Sequence, residues 1–155
     1  MIEMRRAQLN FGDGLITEEV SDLREGWMKH ADAVLADEVI VAAVYEALSK
    51  RHPQSRSRGR RGTPAEMVVR LLILKHIRNW SYSVLEREVR ANLVYRDFTR
   101  VGSAKAPDAK TMGRWGCRSS RMGSFGGLAA ATIAEAACCI RSRGPGIHVR
   151  RLRNA

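Results

Sequence analysis

The sequence has no run of about 18 uninterrupted apolar residues, the length a membrane-crossing helix needs. Its first residues, with Glu3, Arg5 and Arg6 among them, also lack the apolar segment of a secretory signal. Both absences predict a cytoplasmic protein with no membrane partner. Cysteine is scarce: Cys117, Cys138 and Cys139 all lie beyond residue 116, none in a CxxC spacing, and only His148 is near them in sequence. A zinc site needs about four ligands, so these read as free thiols of a reducing compartment. The four histidines, His30, His52, His76 and His148, are scattered and make no metal-ligand spacing with an acid. No serine sits in a nucleophile-elbow context, and the glycines form no phosphate-cradling loop. The residues taken alone therefore propose no enzyme mechanism, no metal and no cofactor.

Acid is the other thing in short supply, and its distribution matters more than its total. The chain carries 27 Lys and Arg against 16 Asp and Glu, a formal charge of +11. Residues 1–50 hold 10 of the acids and 5 bases, whereas 51–61 holds Arg51, Arg56, Arg58, Arg60 and Arg61 with no acid. Beyond residue 104 there are 10 bases against Asp108 and Glu135. Such an excess calls for an anionic partner, of which nucleic acid is the commonest. The N-terminal segment is too acidic to be its main contact surface.

At 155 residues and 45% hydrophobic, the chain can form one ordinary domain with a real core. Residues 1–16 carry turn signals at Asn10, Gly12 and Gly14 and predict an irregular lead-in. Thr17 before Glu18 and Glu19 reads as a cap opening a helix that runs to about Leu35, weakened in the middle by Gly26, and a second helix is expected from Asp37 to about Lys50. Residues 51–62 have no apolar side chain and predict a loop. Thr63-Pro64-Ala65-Glu66 is a strong helix start, and the apolar run 67–74, broken only by Arg70, marks a central helix. Ser81 or Ser83 can cap a further helix, a short one is expected over 93–101, and Pro107-Asp108 precedes another near Ala109. The expected fold is thus all-α, a small multi-helix bundle over 17–116 with its core in 20–101 and a helix-turn-helix-like pair across 63–91. Residues 117–155, rich in Arg, Gly and Ala, read as a disordered basic tail.

Three sets of residues are candidate DNA contacts. Arg56, Arg58, Arg60 and Arg61 lie in an acid-free segment, and guanidinium forks match phosphate oxygens. Arg87 and Arg90 would face base edges if the helix after Ser81 enters a major groove; beside Glu86 and Glu88 the pattern alone reads more readily as a solvated face. Lys105, Lys110 and Arg114 could extend the positive surface from a helix N-terminus, whose backbone N–H groups also favour phosphate.

The stretch GRRGTPAEMVVRLLILKHIRNWSYSVLEREVRANLVYRDF (59–98), followed by PDAKTMGRW (107–115), resembles the N-terminal domain of InsH-type insertion-sequence transposases. Its order of a Gly/Arg loop, a Pro-started Leu-rich helix, a Leu-Glu-Arg helix, an aromatic turn and Pro-Asp-x-x-Thr carries the likeness, which extends over residues 11–116. That resemblance implies DNA recombination by a mobile element, with an RNase-H-like domain of three carboxylates and two metals following the helical one. Here only Glu135 is acidic after Asp108, and the pattern stops after Gly116. The expectation is therefore a fragment truncated or frameshifted before its catalytic domain, inactive alone, that binds DNA. The alternative is a remnant that docks to full-length transposase, or to a second copy of itself, as a trans-acting modulator.

Overall fold

The computed structural model describes residues 3–5, 11–36, 38–51 and 62–116. Those residues are all-α: helices α1 (Phe11–Glu19), α2 (Gly26–Ala36), α3 (Glu38–Arg51), α4 (Ala65–Arg78), α5 (Tyr82–Ala91), α6 (Leu93–Phe98) and α7 (Ala109–Gly116), with no strand among them. No helix among the described residues is long and apolar enough to cross a membrane. The tail at 117–155 lies outside the described residues.

α4 is the axis of the bundle. Every residue from Ala65 to Leu74 is buried, so the helix is covered all round along nearly its first three turns. α3 and α5 pack directly on it, and Met28, Leu35, Val41, Leu85 and Phe98 converge on its apolar side chains. The core also reaches past its expected limit at residue 101, because Ala106 and Met112 are buried in the same cluster. The helix start differs from the expected Thr63 cap: no side chain caps α4. Instead the carbonyls of Glu3 and Met4 accept from the N–H groups of Ala65 and Glu66 at 2.9 and 3.0 Å. A segment distant in sequence thus satisfies donors that every helix start leaves unpaired.

The N-terminal third needs further correction. Residues 11–16, expected to be irregular, belong to α1, and the single helix expected over 17–35 is two, α1 and α2, separated by a turn at 20–25. Thr17 is not a cap. It lies late in α1 and its hydroxyl donates to the Asp13 carbonyl at 2.9 Å and to Asp97 Oδ1 at 2.7 Å. Gly26 opens α2 and so costs no helix interior. The reason for the break lies in Arg24, whose Nε donates to Asp97 at 2.8 Å and whose Nη1 donates to Asp32 at 3.0 Å. That bridge holds the turn against both α6 and α2.

Charge is buried at the centre of this packing. The Arg70 side chain is 4% exposed yet donates to Asp32 at 2.5 Å, to Glu66 at 3.0 Å and to the Phe98 carbonyl at 3.1 Å. Its guanidinium also lies 5.5 Å over the Phe98 ring, which packs against Trp27 in a T-shaped arrangement at 5.0 Å between centroids. Asp97, 3% exposed, receives both Arg24 and Thr17. A buried ion costs several kcal/mol of desolvation, so each of these is tolerable only with its partners in place.

Two substitutions test this arrangement. Asp97→Ala should destabilise the fold by about 1–3 kcal/mol, because it removes the buried acceptor of Arg24 and Thr17 and leaves Arg24 with Asp32 alone; Leu71→Ala, at a fully buried position, should cost about 2–5 kcal/mol. Urea denaturation followed by circular dichroism measures both. A loss below about 0.5 kcal/mol for either would be that of an ordinary surface site and would contradict its placement.

Candidate nucleic-acid interface

The cations singled out in the sequence lie mostly on α5, α7 and the loop between α6 and α7. Ser81 caps α5 by accepting from Val84 N, and Leu85 and Val89 are the buried residues that turn one face of the helix inward. Arg87 and Arg90 stand on the outer face, their side chains 72% and 67% exposed. Arg87 pairs with Glu88 at 2.9 Å and Arg90 with Glu86 at 3.2 Å. Exposed pairs of this sort contribute about 0–1 kcal/mol, so a polyanion could displace them at small cost.

Glu86 has a second role that its spacing from Arg90 does not reveal. Its Oε2 accepts from Ala109 N at 2.8 Å, which ties α5 to the start of α7. Asp108 Oδ1 accepts from Thr111 N at 2.6 Å in the same turn. The first N–H groups of α7 are therefore met by two carboxylates. Two of the N–H groups at this helix N-terminus, those of Ala109 and Thr111, thus already have anionic acceptors, which leaves less of it open to a phosphate. Lys105, Lys110 and Arg114 remain exposed around it, while Met112 faces the core.

The loop that bears Lys105 is fixed from both sides. Arg96 donates through Nε to the Gly102 carbonyl at 2.8 Å and through Nη2 to the Ala104 carbonyl at 2.7 Å. From α1, Asp13 accepts from Ser103 N at 2.7 Å and from its hydroxyl at 3.0 Å. Gly102, at φ +56°, is required there: a Cβ at this position would collide with the Asp13 carboxylate. Neither Arg96 nor Asp13 stands out in the sequence. The only local hint is the pairing of Arg96 and Asp97 in a segment that is otherwise apolar or aromatic.

The structure thus brings Arg87, Arg90, Lys105, Lys110 and Arg114 onto neighbouring elements, because α5 packs on both α6 and α7. Arg56, Arg58, Arg60 and Arg61 lie outside the described residues. No group of three His, Cys, Asp or Glu side chains suited to a metal ion occurs among the described residues.

A family profile described as a transposase domain (DUF772) matches residues 28–118, more than half of the chain and almost all of α2 to α7. The chain belongs to this transposase-domain family. No curated protein and no solved structure matches it. The matched span of the transposase domain contains every described cation of the candidate surface, together with Arg70, Asp97 and the stapled loop. α1 precedes the match, yet supplies Asp13 and Thr17 to the same loop and to α6.

Asp108 offers a local test of the α7 start. The hydrogen bonds from Thr111, first its backbone N–H and then its side chain, hold this carboxyl below its ordinary value of 3.8, with Arg114 and Lys105 adding to the effect. A depressed carboxylate contributes stability that is present above its unfolded value and is lost as pH falls through the folded one. NMR titration of the carboxyl should give a midpoint below 3.8, with the Thr111 amide resonance moving in step. A midpoint at or above 3.8 would mean that the cap is not formed in solution.

Proposed function

We propose that this transposase domain binds duplex DNA during transposition of an insertion sequence. Arg56, Arg58, Arg60, Arg61, Lys105, Lys110 and Arg114 engage phosphates, and α5, as the second helix of a helix-turn-helix-like pair with α4, turns Arg87 and Arg90 toward base edges. The observation that carries this reading is the family match combined with the exposure of all five described cations on α5, α7 and their connecting loop. The deep burial of α4 suits the inner helix of such a pair, and the shallow seating of α5 on Leu85 and Val89 leaves its polar face available.

Strand cutting is not assigned to these residues. Two-metal cleavage needs several carboxylates that converge on the metals. Six acids of the described bundle are engaged elsewhere: Asp32, Glu66 and Asp97 hold arginines, Asp13 holds a loop, and Glu86 and Asp108 cap α7.

Mobility-shift titration of the full chain on duplex DNA over a range of salt tests the reading. Changing Arg56, Arg58, Arg60 and Arg61 together to Ser should weaken binding to all sequences alike and flatten the salt dependence by about 0.9 for each phosphate left without its arginine. Arg87→Ala and Arg90→Ala should each reduce discrimination between a selected target and random DNA by about 1–3 kcal/mol if the arginine grips its base through two hydrogen bonds. A chain that binds no DNA at low salt would overturn the proposal and leave docking to full-length transposase as the better account. Metal-dependent nicking of supercoiled plasmid would overturn the assignment of cutting elsewhere.

A further inference from the structure

Two helices of this fold end in the same backbone motif with very different residues at its strained position. At the end of α4, Asn79 N donates to the His76 carbonyl and Trp80 N to the Lys75 carbonyl, with Asn79 in the left-handed region at φ 54°. At the end of α6, Arg100 N donates to the Asp97 carbonyl and Val101 N to the Arg96 carbonyl, with Arg100 at φ 59°. This pair of bonds satisfies the last carbonyls of a helix and demands one left-handed residue, normally Gly or Asn. Asn tolerates the conformation through its short polar side chain; arginine brings a Cβ clash and no such compensation.

Nothing in the protein interior asks for arginine at this position. Arg5, Arg24, Arg70, Arg78, Arg87, Arg90 and Arg96 each donate to, or pair with, a protein oxygen. Among the described residues the Arg100 side chain makes no such contact. It is partly exposed, whereas its neighbours Thr99 and Val101 are fully buried, so the strained residue is anchored on both sides. Beyond it the chain is held by Arg96 and Asp13 until Lys105 emerges, exposed, before buried Ala106. A cation fixed by its backbone, without an internal partner and at a cost to the fold, is the expected signature of a residue kept for a ligand.

We infer, on the basis of the DNA-binding reading above, that Arg100 and Lys105 form a preformed edge that grips the phosphodiester backbone of duplex DNA. The guanidinium supplies a planar fork for one phosphate, Lys105 a second point charge, and the stapled loop lowers the ordering cost of both.

The test uses the full chain and three forms: wild type, Arg100→Gly and Arg100→Lys. Arg100→Gly should leave the melting temperature unchanged or raise it by about 4–8 °C, since glycine relieves the left-handed strain. The same variant should bind every duplex sequence about three- to tenfold more weakly, with a salt slope smaller by about one. Arg100→Lys should keep the wild-type melting temperature and most of the affinity. If wild type binds DNA and Arg100→Gly binds equally well with the same slope, the edge is overturned and the wider DNA-binding reading stands. If Arg100→Gly melts several degrees lower, the side chain has a structural role and the inference fails on that ground. If wild type itself binds no DNA, both readings fall together.

Discussion

The buried guanidinium of Arg70 is the interaction on which the rest of this structure depends. It lies within the most deeply buried helix and is acceptable there only because Asp32 from α2, Glu66 from its own helix and the Phe98 carbonyl from α6 surround it. Asp32 passes the connection to Arg24, Arg24 passes it to Asp97, and Asp97 receives Thr17 of α1. One connected set of charged groups therefore fixes α1, α2, α4 and α6 relative to each other. Apolar burial would hold these helices together, but it is non-directional and tolerates many packings. Unpaired ions inside the core are costly enough to penalise the alternatives.

That set of charges also determines where the outer surface can be built. Asp97 anchors α6 from within, and from the other side of the same short helix Arg96 reaches forward to hold the carbonyls of Gly102 and Ala104. Asp13 clamps the intervening Ser103 from α1. The candidate DNA-facing loop is thus an extension of the buried network, with a rigid path from Arg70 to Lys105. α7 is attached by a comparable device, with Glu86 on α5 accepting from its first N–H. Exposed cations on such supports need little further ordering on binding a polyanion.

The elements legible in the sequence are those whose signals are local. α3, α4, α5 and α7 begin and end close to where hydrophobic spacing, Pro64, Ser81 and Asp108 place them. Leu71 and the run around it are buried as the pattern implies. What the sequence hides depends on partners far along the chain. Arg70 reads as an interruption in an apolar run, and its acceptors at Asp32 and Phe98 are 38 and 28 residues away. The break between α1 and α2 depends on Asp97, 73 residues from Arg24. Thr17 and Gly26 have the residue types of a cap and a weak point, and only the tertiary bonds show that they are neither. At the candidate site the exposure of Arg87, Arg90 and Lys110 follows from helix phase, whereas the fixed loop under Lys105, Glu86 as a cap and Arg100 as a strained terminus are invisible without the backbone.

The distribution of charge along the chain separates two contributions to the proposed binding. The described residues hold 15 bases and 14 acids, so almost all of the formal +11 belongs to residues outside them, chiefly Arg56 to Arg61 and the seven arginines beyond Gly116. Most arginines of the bundle are paired with carboxylates within it, and a compensated charge adds little to a field that is screened within about 10 Å at 0.1 M salt. On the proposed reading, long-range attraction to DNA comes from the arginine-rich segments, which carry almost no acid; uncompensated charge of that kind attracts phosphates without regard to sequence. The bundle contributes direction: a few cations at fixed spacing on α5, the stapled loop and α7, able to select one register once the polyanion is near. On this division Asp13, the buried carboxylate of α1, does not oppose the proposed binding, because it is engaged in holding the candidate loop.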